Sequence, residues 1–88
     1  MSTANDIEAA CDEVKRLLLR KNQQYGNSAI HPCRIFSKAS ATEQILIRID
    51  DKLSRIVNCG FDGDKEEDTL NDLIGYLILL KVALKSGD

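Results

Sequence analysis

The segment LIGYLILLKVAL, residues 73–84, restricts the fold of this 88-residue chain more than any other feature of the sequence. Read as a helix, it carries apolar side chains on nearly every side, so other helices must surround it. It contains Lys81 and is too short to span a bilayer. Because two further helices can hardly enclose it within one small chain, we expect a homo-oligomer in which it is buried against a second copy. The predicted contact residues are Leu73, Leu77, Leu80 and Leu84.

Helical periodicity predicts a first helix from about Asp6 to Gln24, with Asn5 as its N-cap and Gly26 as its C-terminal stop. A polar stretch without periodicity follows, up to residue 39. Three apolar side chains are expected to hold this stretch against the core as an ordered loop: Ile30, Ile35 and Phe36. Ordered long loops in small domains often carry function.

A capping box predicts the start of the second helix, because Ser40 can bond the amide of Glu43 and Glu43 can reach back to Ser40. The helix is expected to end at Cys59 and Gly60. Its predicted core stripe is Ile45, Ile49, Leu53 and Ile56. The third helix is predicted to start near Asp64, with Glu67 completing a similar cap, and it carries acidic residues in its first turns.

Length and charge narrow the class of protein. A chain of 88 residues predicts one α-helical domain spanning residues 1–88. Its net charge of -2 argues against a protein that coats DNA, which needs a basic excess. The odd number of cysteines and the lack of a CxxC spacing favour reduced thiols in a cytoplasmic protein. The polar, acidic N-terminal stretch does not resemble a signal peptide.

Cationic and neutral polar side chains collect in two segments, where they are suited to hold an anion. Lys and Arg supply charge, and Arg can bond two oxygens at once. Loop amides, Asn and Ser supply neutral donors, and Tyr25 can stack on a base or ribose. The candidate ligand-binding residues are Lys21, Asn22, Tyr25, Asn27, Ser28, His31 and Arg34 in and beside the loop, and Arg48, Lys52 and Arg55 on the second helix.

Two other interpretations of the charged residues stay open. A divalent-metal site would use Asp51, Asp68 and Asp72 to hold Mg²⁺ against substrate phosphates and water. In a structural interpretation, the charges of the second helix form a solvated face or a ladder of ion pairs. Asp68 would then pair with Arg48 or Arg55, and His31 would only make hydrogen bonds within the loop.

Three motifs, in the same order, resemble those of a known family. They are K-N-x-x-Y-G-N-S over residues 21–28, R-x-x-D-K-x-x-R-I over residues 48–56, and E-D-T-x-x-D-L-x-x-Y over residues 67–76. The set, within about residues 10–85, is similar to the small phage and bacterial proteins called nucleotide-modification-associated domain 1. More distantly, it is similar to the all-α MazG-like nucleotide pyrophosphohydrolases.

The resemblance implies an α-helical, oligomeric and often phage-encoded protein that handles a nucleotide. In MazG-like enzymes, acidic residues on two neighbouring helices hold Mg²⁺ against a triphosphate and activate water. Asp72 matches the last residue of their second acidic motif, whereas Thr69 stands where that motif has Glu and Asp68 is its nearest substitute. The Glu-rich first motif is replaced by RIDDKLSRI, residues 48–56, which is better suited to phosphate than to several metal ions.

The sequence therefore predicts an all-α fold, with three main helices and an ordered loop between the first two, packed as a helical oligomer. The expected function is binding of a nucleotide or nucleotide-derived signalling molecule in the cytoplasm, the host's if the protein is phage-encoded, so as to sequester it and counter host immunity. The main alternative is a Mg²⁺-dependent MazG-like nucleoside-triphosphate pyrophosphohydrolase, and the second is a structural or interaction module. The pocket can lie within or between subunits, and no cofactor is certain.

Overall fold

A computed structural model describes residues 2–61 and 68–87, which form three helices and contain no strand. Helix α1 is Thr3–Tyr25, α2 is Ala41–Cys59 and α3 is Thr69–Ser86. The predicted all-α fold with three main helices is confirmed, and residues 26–40 form the connection between α1 and α2. In this part of the chain no helix has the length and apolarity needed to cross a bilayer.

The ends of α1 and α2 follow from local capping. The prediction of Asn5 as the first N-cap is wrong, because Ser2 takes that position and its Oγ accepts from the Asn5 amide at 3.2 Å. At the other end Gly26, with φ of 65°, terminates α1 as predicted. The cap of α2 is confirmed, since Ser40 Oγ accepts from the Glu43 amide at 3.1 Å. Gly60 ends α2 and donates its amide to the Ile56 carbonyl at 2.8 Å.

Helix α3 begins at Thr69, and its N-cap is Asp68, whose carboxylate accepts from the amide of Asn71 at 3.1 Å. The predicted start near Asp64 and the cap by Glu67 fall on residues 62–67, which lie outside the described residues. Because Asp68 satisfies one of the free amides of the first turn, its carboxylate already has a structural role.

The core lies between α2 and α3. Ile45, Ile49 and Ala83 are buried together, and partly buried apolar side chains surround them: Ile30, Leu73, Tyr76, Leu79 and Leu80. Ile45, early in α2, lies near the end of α3, whereas Lys52, farther along α2, reaches Asp72 near the start of α3. The two helices therefore run antiparallel.

The core stripe predicted for α2 is only partly correct. Ile45 and Ile49 are buried and Ile56 is half-buried, but Leu53 is exposed. Lys52 takes the buried position instead and is 7% exposed. Lys52 lies seven residues after Ile45, two helical turns along the same face, whereas Leu53 is rotated by about 100° from Lys52.

The loop is attached to the core more loosely than predicted. Ile30 packs against the core, as expected. Ile35 is 73% exposed and Phe36 is 97% exposed, so the prediction that they anchor the loop is wrong. Backbone hydrogen bonds order the start of the loop instead, since the carbonyl of Asn27 accepts from the amides of Ile30 and His31 at 3.0 and 2.7 Å.

Helix α1 packs mainly on α3 and buries only Val14 among its own residues. The chain is accordingly extended: its radius of gyration is 14.4 Å, whereas about 12 Å is usual for a domain of this length. A gap is left between α1 and α2. On α3, Gly75 faces α1, and a Cβ at this position would lie 3.4 Å from Leu18 Cδ1, which is an ordinary contact distance.

Replacement of Gly75 by Ala tests this contact. The change removes a glycine from a helix interior and places the new methyl at ordinary contact distance from Leu18, so we expect a gain of about 0.5–1 kcal/mol in unfolding free energy. The matched control is Gly26→Ala, where nothing lies within 4 Å but φ is 65°. For Gly26→Ala we expect the unfolding free energy to fall by about 1 kcal/mol. Chemical denaturation measures the unfolding free energy of both variants. A loss at Gly75 as large as that at Gly26 would contradict the expectation.

Candidate ligand-binding cleft

The gap between the three helices and the start of the loop forms a cleft of about 750 Å³. Its size lies within the range of about 300–1,000 Å³ usual for small-molecule sites. Cationic and polar side chains line it: Lys21, Asn22, Ser28, Arg48, Lys52 and Arg55. Apolar and aromatic side chains line it as well: Val14, Leu17, Leu18, Tyr25, Tyr76 and Leu79.

An ion-pair cluster joins all three helices at the cleft. Asp72 on α3 accepts from Lys21 Nζ of α1 at 3.1 Å through Oδ1, and its Oδ2 lies 3.4 Å from Lys52 Nζ of α2. The side chains of Asp72 and Lys52 are 17% and 9% exposed, whereas that of Lys21 is half-exposed. A buried ammonium group needs a counter-ion, and Asp72 provides one for Lys52.

Two more cations of α2 line the cleft. Arg55 Nε lies 3.4 Å from Asp51 Oδ2, one turn earlier on the same helix, and both side chains are about half-exposed. Arg48 makes no hydrogen bond or ion pair within the described part of the chain. Four cations and two carboxylates thus line the cleft, which leaves a net charge of about +2 although the whole chain is negative.

Two tyrosines contribute the aromatic surface of the cleft. Tyr25, at the end of α1, is 63% exposed, so its ring is accessible. Tyr76 is half-buried and packs against the core between α2 and α3. An exposed ring beside cations is suited to stack on a planar, charged molecule.

Seven of the ten predicted ligand-binding residues line the cleft: Lys21, Asn22, Tyr25, Ser28, Arg48, Lys52 and Arg55. The other three do not line it. Asn27 uses its carbonyl to order the loop, His31 is exposed, and Arg34 donates Nε to the Ala39 carbonyl at 3.1 Å. Arg34 has φ of 56°, the left-handed conformation that non-glycine residues rarely adopt.

Several residues that line the cleft were not among the predicted site residues. Tyr76 and Asn71 both belong to the third motif region, and Gln44 lies one turn before Arg48 on α2. Spacing of four residues from Asp72 and from Arg48 was the signal that could have found Tyr76 and Gln44, whereas Asn71 is the direct neighbour of Asp72 and had no such signal. The apolar residues of α1 that line the cleft, Val14, Leu17 and Leu18, could not be predicted in this way, because an apolar stripe on a helix equally predicts packing in the core.

The three carboxylates of the metal interpretation do not meet. Asp51 and Asp72 line the cleft, where each is paired with cations. Asp68 does not line it and instead caps α3, accepting from the Asn71 amide and from Asn71 Nδ2 at 2.7 Å. Residues 2–61 and 68–87 contain no group of three His, Cys, Asp or Glu side chains placed to hold a metal ion. The expected pairing of Asp68 with Arg48 or Arg55 is likewise replaced by these contacts.

Fold and site together define a small all-α protein with a cationic, partly aromatic cleft between its helices. Comparison of the chain with models of protein families, with curated proteins and with solved structures finds no match. The resemblance to the nucleotide-modification-associated domain therefore stays a prediction made from the three motifs.

Proposed function

We propose that the protein binds a nucleotide or nucleotide-derived small molecule in this cleft. The observation that carries the proposal is the convergence of cations from α1 and α2 on a cleft that also contains two tyrosines. Phosphate needs positive charge and hydrogen-bond donors, whereas a base needs a flat apolar surface. The cleft supplies both within one space of suitable size.

The cationic side chains of the cleft indicate how the phosphate group of the ligand would be bound. Arg48 is the first candidate to bond a phosphate, because it lines the cleft without an internal partner in the described chain. Lys21 is half-exposed and can turn toward a ligand while Lys52 keeps Asp72 as its counter-ion. A net charge of about +2 suits a ligand with two phosphate charges better than a strongly charged triphosphate.

The contacts of the carboxylates favour binding over metal-dependent hydrolysis. A divalent ion needs carboxylate oxygens that are open to it, whereas the two oxygens of Asp72 are each within 3.4 Å of a lysine nitrogen. Mg²⁺ would have to displace these ammonium groups. Binding without turnover agrees with the use expected from the family resemblance, in which a phage-encoded protein sequesters a signalling nucleotide of the host.

Substitution of Arg48 by Ala tests the binding site. We expect the affinity for a nucleotide ligand to fall about tenfold to a hundredfold, since a charge-assisted hydrogen bond is lost, while unfolding free energy changes by less than about 0.5 kcal/mol. The matched control is Arg20→Ala, which removes an exposed arginine of α1 that does not line the cleft.

The measurement is calorimetric titration with mononucleotides, dinucleotides, nucleoside triphosphates and inorganic phosphate, each in EDTA and again in Mg²⁺. Binding in EDTA that Arg48→Ala weakens and Arg20→Ala does not would support the proposal. Release of pyrophosphate only in Mg²⁺, lost in Asp51→Asn, would favour the enzyme instead, because Asp51 lines the cleft and its replacement should leave the fold intact. If none of these compounds binds the original protein, the interpretation that remains is a structural or interaction module.

A further inference from the structure

The two carboxylates that line the cleft differ in how firmly they are held. The oxygens of Asp72, whose side chain is 17% exposed, lie 3.1 and 3.4 Å from the ammonium nitrogens of Lys21 and Lys52. Asp51 is 57% exposed, and its Oδ2 lies 3.4 Å from Arg55 Nε on the same helix. A buried ion pair is costly to break, whereas an exposed pair contributes little to stability. The charge of Asp51 is therefore available for a role in binding.

Asp51 lies between the two arginines of the cleft. Arg48, Asp51 and Arg55 follow one another at spacings of three and four residues, so they share one face of α2. With a rise of about 1.5 Å per residue, Asp51 is about 4.5 Å along the helix from Arg48 and about 6 Å from Arg55. All three residues line the cleft. A phosphate bound by either arginine therefore comes close to the carboxylate of Asp51.

The carboxylate of Asp51 has two effects on an anion in this place. It compensates the charge of Arg55, with which it pairs, and it repels each negative charge of the ligand. At a separation of about 6 Å in the partly solvated surroundings of a protein surface, one unit charge changes the affinity for a charged group roughly tenfold. Without Asp51, four cations and one carboxylate would line the cleft, which is a net charge of about +3. Asp51 thus limits how much negative charge the cleft can accept.

We propose that Asp51 makes the cleft select its ligands by charge, so that it binds molecules with about two phosphate charges and disfavours nucleoside triphosphates. The inference rests on the proposed function, since it concerns the ligand of the same cleft. A triphosphate offers the same base and the same phosphate groups as a less charged nucleotide, so attraction alone does not exclude it. Exclusion needs a group that opposes the wrong ligand, and the exposed carboxylate between Arg48 and Arg55 is such a group.

Calorimetric titration of the full chain with adenosine monophosphate and adenosine triphosphate, both in EDTA, tests the inference. The two probes share base and sugar and differ only in the number of phosphates. The original protein should bind the triphosphate no more tightly than the monophosphate. Asp51→Asn should raise the affinity for the triphosphate, relative to that for the monophosphate, about tenfold. Added salt should reduce this gain, because the side chains of Asp51 and Arg55 are partly exposed.

The matched control is Asp50→Asn, one residue earlier on the same helix. Asp50 is exposed and does not line the cleft, since consecutive residues differ by about 100° around a helix. Both variants change the charge of the whole chain by the same amount, but only Asp51→Asn changes the charge of the cleft. Asp50→Asn should leave the ratio of the two affinities within about twofold of its original value. Circular dichroism of both variants should remain helical, because both side chains are exposed.

A double-mutant cycle tests whether the summed charge of the Asp51–Arg55 pair decides the selection. Arg55→Gln should lower the ratio of triphosphate to monophosphate affinity about tenfold, and adding Asp51→Asn should return it to within about threefold of the original value. A double variant that behaves like Arg55→Gln alone overturns the inference.

Two further results overturn the inference while the proposed function stands. One is a ratio that Asp51→Asn leaves unchanged, and the other is a ratio that Asp50→Asn raises by the same amount. The inference also fails if neither probe binds any of these proteins. The proposed function fails only if every compound of the broader titration, from mononucleotides to inorganic phosphate, fails to bind the original protein.

Discussion

Replacing Asp72 by Asn should destabilise the protein by about 2–4 kcal/mol, because the change removes the carboxylate that lies 3.4 Å from the ammonium group of the buried Lys52 and that also accepts from Lys21. For a domain of this size, such a loss corresponds to a fall in melting temperature of more than about 10 °C. Lys21 should contribute a smaller part, since it is half-exposed and partly solvated. Chemical denaturation measures the loss of unfolding free energy, and thermal melts measure the fall in melting temperature.

The matched control for this variant is Asp51→Asn, which removes the same charge from an exposed pair with Arg55 on one helix. It should change unfolding free energy by no more than about 0.5 kcal/mol. Adding Lys52→Met to Asp72→Asn should recover most of the loss, because the buried ammonium group that Asp72 pairs with is then absent as well. Equal effects of Asp72→Asn and Asp51→Asn would show that the three-helix ion-pair cluster contributes little.

Replacing Ile45 by Ala should cost about 2–4 kcal/mol, because the truncation leaves a cavity where α2 meets α3. Ile45 is 2% exposed and lies among Ile49, Ala83 and the partly buried residues around them. Marginal stability makes such a loss a large share of the total for a domain of this size. Chemical denaturation of the purified protein gives the value.

The control for Ile45→Ala is Ile47→Ala, two residues along the same helix, where the side chain is 56% exposed. This change should alter unfolding free energy by less than about 0.5 kcal/mol. If both variants lose the same stability, the core does not lie where the structure places it, and packing against another chain would have to account for Ile47.

The local features of the fold were readable from the sequence. The N-cap at Ser40 and the glycines at the ends of α1 and α2 depend only on neighbouring residues, so their positions follow from short-range chemistry. Helical periodicity likewise places Ile45 and Ile49 in the core. The loop was harder, because nothing in its sequence shows that Phe36 would find no surface to pack against.

The candidate site could be predicted only in part, because it depends on contacts between residues that are far apart in the chain. Two motifs placed most of the cationic residues on helix faces that meet, but Asp72 and Lys21 are 51 positions apart in the chain. Nothing local indicates that this carboxylate pairs with two lysines. His31 and Arg34 were included because of their residue types alone, and only the course of the loop removes them from the cleft.

The weak attachment of α1 affects the range of molecules that the cleft can enclose. Val14, the side chain of Leu18 opposite Gly75 and the Lys21–Asp72 pair connect this helix to the rest of the chain. A tilt of α1 would widen or narrow the space beneath it while Ile45 and its neighbours stay packed. Under the proposed function, such a cleft would accept several related ligands rather than select one of them.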